Sequence, residues 1–182
     1  MRKSYPPENF LTEIRLEREA LKFSSAHMTI FADGTKEALH GHNYQVSVRI
    51  NIRAASFKRK PEVALKEMIP FSILKKEVRA LCESFDEKVL LPETSPFLKK
   101  HTSKRKENVE FTACGAFYSL PENEVVWLPV PTISCETLSE SLVSQLLKRV
   151  PEKLWSQYKA TTLSVEVLES PHQGATTQVE LS

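Results

Sequence analysis

Residues 40–52 read HGHNYQVSVRINI, and this stretch carries the clearest structural signal in the chain. From Tyr44 to Ile52, apolar residues at even positions alternate with polar residues at odd positions. Because successive side chains of a strand point to opposite faces of a sheet, the alternation predicts a strand with one face in a core and the other in water. His40 and His42 share the parity of the apolar residues, so the buried face begins with two imidazoles.

Regular patterns flank this strand on both sides. Residues 12–27 alternate as a strand before it, and residues 160–169 and 175–181 alternate as two strands near the end of the sequence. Apolar residues three and four positions apart predict one helix at about 72–84 and a second from Ser134, a residue type that caps helices. The order of these elements predicts an α+β fold, an antiparallel sheet with two helices on one face.

Less regular segments separate these elements within a single predicted domain, residues 1–182. Residues 53–68 form a polar connection, and residues 86–133 are predicted to be irregular because they hold five prolines. Inside that region, we expect residues 109–118 and 123–128 to pair as a hairpin.

The composition excludes several classes of partner and location. Lys plus Arg total 25 and Asp plus Glu total 23, a net charge of +2, so we expect neither nucleic acid nor an anionic membrane as a partner. The four glycines are too scattered for a dinucleotide-binding or phosphate-binding loop. The start, MRKSYPPENF, lacks the apolar core of a signal peptide, and the three cysteines have no CxxC spacing. These features favour a cytoplasmic protein with reduced thiols.

A third histidine extends the pair at the start of the central strand. His27 ends the first predicted strand with the parity of its apolar residues, so pairing of the two strands would bring it to His40 and His42. Three neutral imidazoles with a fourth position open are typical of a catalytic zinc site. The alternative is that these are core histidines with satisfied hydrogen bonds, because HxH by itself is a short motif.

Glu169 is the second unusual residue on a predicted core face. It continues the parity of Leu163, Val165 and Val167, and a carboxylate there costs free energy unless it is paired. A carboxylate can accept two parallel hydrogen bonds from an amidine or guanidine-like edge, which would make Glu169 a ligand anchor. The alternative is that the strand has already ended and Glu169 points to solvent.

Four motifs, in this order, carry a family resemblance: FSSAH, LHGHNYQVSV, SCETLSE and VEVLES. Together they resemble the 6-pyruvoyl-tetrahydropterin synthase and 6-carboxytetrahydropterin synthase family. The resemblance implies the tunnelling fold (T-fold), in which the sheets of three subunits close into a barrel and two trimers stack as a homohexamer. It also implies an active site between subunits and a pterin substrate, 7,8-dihydroneopterin triphosphate or a close relative.

The resemblance assigns roles to residues of this chain. It implies that His27, His40 and His42 bind zinc and that Glu169 anchors the pterin ring. Glu136, in the SCETLSE motif, is a second candidate for substrate binding. The implied chemistry is triphosphate elimination or side-chain cleavage, in which zinc lowers the pKa of substrate hydroxyls and a nearby base removes a proton.

The sequence departs from the family pattern at the positions of the expected catalytic groups. Members that make pyruvoyl or carboxy products usually carry a cysteine base four residues before HGH, and here that residue is Lys36. The next residue, Glu37, resembles a branch that uses glutamate and forms 6-hydroxymethyl-7,8-dihydropterin. In place of the family's Asp-His pair, the chain has Asp86 and Glu87. The resemblance makes all three carboxylates candidate catalytic groups, although Glu37 could also be a loop charge and Asp86 could brace a turn.

These departures leave more than one function open. The first hypothesis is a zinc-dependent pterin lyase, the second a non-catalytic pterin- or purine-binding module that retains zinc, and the third a structural zinc site. The same scaffold accommodates pyruvoyl, carboxy and hydroxymethyl products, of queuosine, folate or biopterin metabolism. Residues 91–128 are expected to be an insertion relative to shorter family members.

Overall fold

The computed structural model describes residues 11–53, 62, 70–103 and 105–181, with the backbone alone at 18–20. The described strands in chain order are β1 (Leu11–His27), β2 (His40–Arg53), β3 (Lys88–Pro92), β4 (Leu98–His101), β5 (Asn108–Ala113), β6 (Ala116–Pro121), β7 (Val125–Leu128), β8 (Ala160–Ser170) and β9 (Gln173–Glu180). The described helices are α1 (Phe71–Phe85), α2 (Cys135–Arg149) and α3 (Glu152–Gln157), and a 3-10 turn spans Glu122–Glu124. The predicted polar connection at 53–68 lies almost entirely outside the described residues.

The main sheet has six strands in the order β7-β3-β1-β2-β8-β9. The four strands predicted from alternation are confirmed, and they pair antiparallel with their neighbours. Strands β3 and β7 extend the sheet by parallel pairing, so the sheet is mixed. These two strands are short apolar runs, KVLLP and VVWL, without the alternation that marks a half-exposed strand. That is why they do not stand out in the sequence.

Both predicted helices are confirmed, and they cover one face of the sheet. Helix α1 packs against β1, and α2 packs against β8 and β9. Their buried residues join the even-numbered side chains of β2 in one apolar core. At the start of α2, the Ser134 side chain accepts a 3.4 Å hydrogen bond from the Thr137 amide, and the Thr137 hydroxyl accepts a 3.0 Å bond from the Ser134 amide. This capping box starts the helix where the sequence predicts it.

The opposite face of the sheet is polar. Ser47 donates a 2.7 Å hydrogen bond to Glu166, and an Arg49 Nη2 atom lies 3.3 Å from the same carboxylate. Polar side chains at odd-numbered positions of β2 therefore pair with polar side chains of β8 on this face, as the alternation predicts.

A second, smaller sheet contains β4, β5 and β6, which pair antiparallel in that order. The predicted hairpin between 109–118 and 123–128 is wrong, because β5 pairs with β6 and β7 joins the main sheet. The deciding feature is the two-residue turn Cys114-Gly115, with φ angles of 48° and 83°. Positive φ at both positions gives a tight hairpin turn that matches the twist of the strands. Most of the region predicted to be irregular, 86–133, is thus built of short strands.

Within the part of the chain that the structure describes, no helix combines the length and apolar character needed to cross a membrane.

Candidate metal and substrate site

The three histidines meet where β1 ends and β2 begins. His27 pairs directly with His40 across the two strands, and His42 lies two residues further on the same face. Their ring centroids are 4.6 Å apart for His27 and His40, 4.8 Å for His40 and His42, and 5.3 Å for His27 and His42. One nitrogen of each ring lies within 4.8 Å of the other two, so the three could hold one metal ion.

The surroundings of the rings fit a metal better than a satisfied core. His27 is only 2% exposed, and neither of its ring nitrogens has a hydrogen-bond partner among the described residues. Burial, with His40 and His42 nearby, lowers the pKa of His27 and keeps it neutral, with a free lone pair. The Nδ1 atom of His40 lies 2.8 Å from the Ala38 carbonyl oxygen, a contact in which Nδ1–H donates and Nε2 is left as the ligand atom.

Glu37 is an exposed residue of the loop 28–39, which joins β1 to β2. Its amide donates a 3.0 Å hydrogen bond to the Thr29 carbonyl. The nearby Thr29 hydroxyl holds the pKa of the Glu37 carboxyl below its usual range, and interactions with His40 and His27 act in the same direction. Lys36, at the position of the family's cysteine, instead places its Nζ atom 5.4 Å from the centroid of the Tyr118 ring. Of these two residues, only Glu37 offers an ionised base close to the histidines.

Glu169 occupies a β-bulge at the end of β8. Leu168 pairs with Gly174 and Ser170 with Gln173, so Glu169 has no partner on β9. A Cβ atom at Gly174 would lie 2.2 Å from the Val167 carbonyl oxygen, so this close approach requires glycine. The Glu169 carboxylate interacts with both His27 and Cys135, which places it beside the histidine cluster.

Two residues of the site are missed by sequence reasoning. Tyr44 is fully buried, its ring stacks 4.9 Å from Phe23, and its hydroxyl has no hydrogen-bond partner among the described residues. Burial, together with the charges of Cys135, Glu169 and Glu37, raises its pKa. A sequence signal that could have found Tyr44 is its hydroxyl, which lies two residues after the HGH motif on the strand face that continues with aliphatic residues.

Cys135 is the second missed residue. Burial and the Glu169 carboxylate raise the pKa of its thiol to about 12, so the thiol stays protonated and can donate to Glu169. This cysteine belongs to the family motif SCETLSE. A cysteine at the start of a helix does not by itself indicate that its thiol contacts a carboxylate, so the sequence does not predict its interaction with Glu169.

The other predicted site residues lie away from the histidines or serve the backbone. Asp86 follows α1 and its Oδ1 atom accepts a 2.7 Å hydrogen bond from the Ser24 amide. Glu87 has a φ of 56°, and its amide donates to the Ser24 carbonyl at 2.7 Å. Glu87 lines a groove together with Ser24, Asn43 and His42, whereas Asp86 is not among the residues that line it. No described contact within one subunit joins Asp86 or Glu87 to Glu37 or Glu169.

Glu136 lies in the first turn of α2, next to Cys135. The Ser134 hydroxyl and the backbone amide of Glu136 hold the pKa of its carboxyl below the usual range. A carboxylate at this position also interacts favourably with the positive end of the helix dipole. Glu136 is thus an exposed first-turn residue of α2 beside Cys135, behind the Ser134 cap.

Comparison with known proteins decides the family. Residues 15–180 match the family described as 6-pyruvoyl tetrahydropterin synthase. The chain belongs to this family. The mixed sheet with helices on one face is accordingly the T-fold of the 6-pyruvoyl tetrahydropterin synthase family, and the resemblance carried by the four motifs is confirmed.

Individual relatives support this assignment. A protein of Methanocaldococcus jannaschii named as a 6-carboxy-5,6,7,8-tetrahydropterin synthase is 30% identical over 156 residues, covering 85% of this chain and 88% of its own length. The 6-pyruvoyl tetrahydropterin synthase of Plasmodium vivax superimposes with a TM-score of 0.82 and 29% identity, covering 94% of this chain and 99% of its own. The Plasmodium falciparum enzyme gives 0.81 at the same identity and coverage. The chain thus has the scaffold of a pterin-processing lyase, with a histidine cluster that could hold a metal.

Proposed function

We propose that the protein is a zinc-dependent lyase that acts on 7,8-dihydroneopterin triphosphate or a close pterin. The observation that carries this proposal is the meeting of three histidine nitrogens, together with two carboxylates, Glu37 and Glu169, that both interact with His27. The reaction is triphosphate elimination or side-chain cleavage, followed by rearrangement.

The three histidines would hold the zinc. Three imidazoles suit this metal, and the unpartnered nitrogens of the buried His27 are a reason to expect a ligand there. When bound, zinc acts as a Lewis acid that lowers the pKa of a coordinated hydroxyl. The Ala38 carbonyl orients His40 for this role by holding its Nδ1–H.

Glu37 is the proposed base. Its carboxyl has a lowered pKa and is ionised at neutral pH, so it can accept a proton from the substrate side chain. In elimination, the electron pair of the broken C–H bond forms a double bond and expels the triphosphate. In cleavage, the deprotonated hydroxyl becomes a carbonyl, and the carbon that stays on the pterin keeps the electron pair of the broken C–C bond and takes the proton back from Glu37. Two structures of the Plasmodium vivax enzyme are described as catalytic residue mutants in which a glutamate is replaced by alanine or by cysteine. A glutamate base in this chain agrees with those descriptions.

Glu169 is the proposed anchor for the pterin ring. A pterin presents an amino group and a ring N–H side by side, and one carboxylate can accept both hydrogen bonds. At the bulge, this carboxylate interacts with His27 and Cys135, which supports an anchor beside the proposed metal site. Glu136, next to Cys135, contributes a second carboxylate.

Asp86 and Glu87 are proposed as secondary proton-handling groups supplied by a neighbouring subunit. Neither carboxylate has a described contact with Glu37 or Glu169 of its own subunit, and Glu87 lines a groove that also includes His42, which is consistent with a site completed between copies of the chain. We propose a homo-oligomer, a trimer or hexamer, in the cytoplasm. The polar face of the main sheet, with Ser47, Arg49 and Glu166, would then line a barrel filled with water.

The deciding experiment is turnover of the zinc-loaded protein with 7,8-dihydroneopterin triphosphate, with products identified by mass spectrometry. Glu37→Gln is expected to lower kcat by about 10²–10⁴-fold, because general base catalysis contributes an effect of that size. Glu169→Ala is expected to raise KM by about ten- to a hundredfold, because hydrogen bonds to a charged group are lost. If the Glu37→Gln variant turned over the substrate at the wild-type rate, the assignment of Glu37 as the base would be refuted.

A second candidate is a pterin- or purine-binding module without catalysis. It is favoured by the replacement of the family's cysteine by Lys36 and of its histidine by Glu87. This candidate predicts tight pterin binding by the zinc-loaded protein with no product at any pH. Binding would then depend on Glu169 and not on Glu37.

A further inference from the structure

The small sheet of β4, β5 and β6 touches the three consecutive residues that precede Glu37. At Gly34, an added Cβ atom would lie 3.0 Å from Cε1 of Phe97, so the ring packs directly on the turn. The Sγ atom of Cys114 lies 3.9 Å from the Thr35 carbonyl oxygen. The Lys36 ammonium lies over the Tyr118 ring at 5.4 Å. One contact thus comes from the start of β4, one from the β5–β6 turn and one from β6.

Both arms of loop 28–39 are also buried against this sheet. Met28 and Ile30 belong to a second apolar core cluster together with Phe111 and Ala113 of β5. Leu39, at the other end of the loop, packs against the same cluster. The loop is therefore seated on the small sheet, although Glu37 itself is exposed.

Lys36 links the small sheet to the backbone of Glu37. Its Nζ atom, placed over Tyr118, donates a 3.1 Å hydrogen bond to the Glu37 carbonyl. The Glu37 amide donates to the Thr29 carbonyl on the opposite arm of the loop. Both polar groups of the Glu37 backbone are thus held, one of them through a lysine that the small sheet positions.

We propose that the small sheet positions the catalytic base, with Lys36 and Tyr118 as positioning residues for Glu37. This inference rests on the proposed function, in which Glu37 is the base. The exposed Glu37 side chain can adopt many conformations, and a base misplaced by about 1 Å can lower the reaction rate by a large factor. The lysine that replaces the family's cysteine thus has a role of its own, which is to hold its neighbour.

The test compares kcat and KM for four single variants and one double variant of the zinc-loaded protein. Lys36→Met removes the ammonium and leaves the Tyr118 packing intact, whereas Tyr118→Leu removes the ring. Both are expected to lower kcat about tenfold with KM within about twofold, because the base acts in the transition state. The double variant should lose less than the sum of the two single losses, since both substitutions remove the contact between Lys36 and Tyr118. Tyr118→Phe keeps the cation–π contact and is expected to keep kcat.

Lys100→Met is the matched control. Lys100 also lies over an aromatic ring of this region, 4.0 Å from the centroid of Trp127, but it makes no contact with loop 28–39 among those described. Its removal is expected to leave kcat unchanged. Equal losses of kcat in Lys100→Met and Lys36→Met would mean that the small sheet contributes only general stability, and would overturn the inference.

A second readout does not depend on turnover. Amide hydrogen exchange at Phe31 and Glu37, whose amides bond to carbonyls across the loop, should be faster in Lys36→Met than in Lys100→Met. Unchanged exchange and unchanged kcat in Lys36→Met, with kcat lost in Glu37→Gln, would overturn the positioning role and leave the proposed function standing. An unchanged kcat in Glu37→Gln would show that Glu37 is not the base, and both proposals would then be wrong.

Discussion

The histidine cluster and the Glu37 loop lie side by side, but they are built in opposite ways. The histidines are placed by the register of two long paired strands, so their positions follow from local backbone geometry. Glu37 is on a loop, and its position depends on Phe97, Cys114 and Tyr118, all of them at least sixty residues away in sequence. The comparison teaches that the proposed metal ligands are placed by regular structure, whereas the proposed base depends on a separate sheet.

The largest expected effect concerns the histidine cluster, which the two paired strands position. His40→Ala is expected to weaken zinc binding by more than about a hundredfold, because loss of a direct ligand should exceed the effect of losing an outer-shell partner. Zinc stoichiometry measured by metal analysis after dialysis would check this. His101→Ala is the matched control, since His101 lies on the small sheet and contacts Thr112 at 2.7 Å. Equal zinc content in both variants would contradict the assignment of the ligands.

The next effect tests the bulge that carries Glu169. Gly174→Ala forces a Cβ atom against the Val167 carbonyl, so we expect a loss of about 1–3 kcal/mol in the free energy of unfolding. Displacement of Glu169 should also weaken pterin binding, measured by titration. Gly115→Ala is the control, because Gly115 has a positive φ but open space around it. Its variant should lose stability while pterin affinity stays the same, and a matching loss of affinity would argue against the bulge as the cause.

A smaller effect concerns the unpartnered hydroxyl of Tyr44. In the metal-free and substrate-free protein, a buried hydroxyl without a partner costs free energy, so Tyr44→Phe is expected to raise the free energy of unfolding by about 1 kcal/mol. Denaturant unfolding of the metal-free protein measures this. Destabilisation instead would mean that the hydroxyl has a partner within the folded chain and belongs to the core.

The smallest expected effect concerns the Cys135 thiol. Because the Glu169 carboxylate raises its pKa, Glu169→Gln should lower that pKa and increase the thiolate fraction at a given pH. Alkylation of Cys135 followed by mass mapping should therefore become several-fold faster, while burial keeps it slow overall. Cys82, buried with a raised pKa away from Glu169, serves as the internal control in the same experiment. Equal alkylation rates at Cys135 in the wild type and in Glu169→Gln would show that the Glu169 carboxylate does not act on the Cys135 thiol.

The same contrast explains which parts of the molecule are predictable from the sequence. Strands β1, β2, β8 and β9 alternate over eight or more residues, and α1 and α2 have regular apolar spacing, so their periodicity reveals them. The meeting of His27 with His40 follows from parity once the two strands are paired.

The remainder depends on contacts between distant segments, which no local pattern encodes. The parallel strands β3 and β7 are too short to show a period, and the pairing of β5 with β6 is decided by the Cys114-Gly115 turn. The pairing of Cys135 with Glu169 joins α2 to β8 through packing alone. Lys36 illustrates the same limit, since its position in the motif carries no sign of the Tyr118 ring that it contacts.

The seating of Gly34, Thr35 and Lys36 on the small sheet has a consequence for protein engineering. A designer who transplants the stretch KEALHGHNY into a scaffold without a counterpart of β4, β5 and β6 would transfer the metal ligands but not the support of the glutamate. The graft would bind zinc and turn over slowly. The smallest portable unit is therefore discontinuous: the loop together with the sheet beneath it.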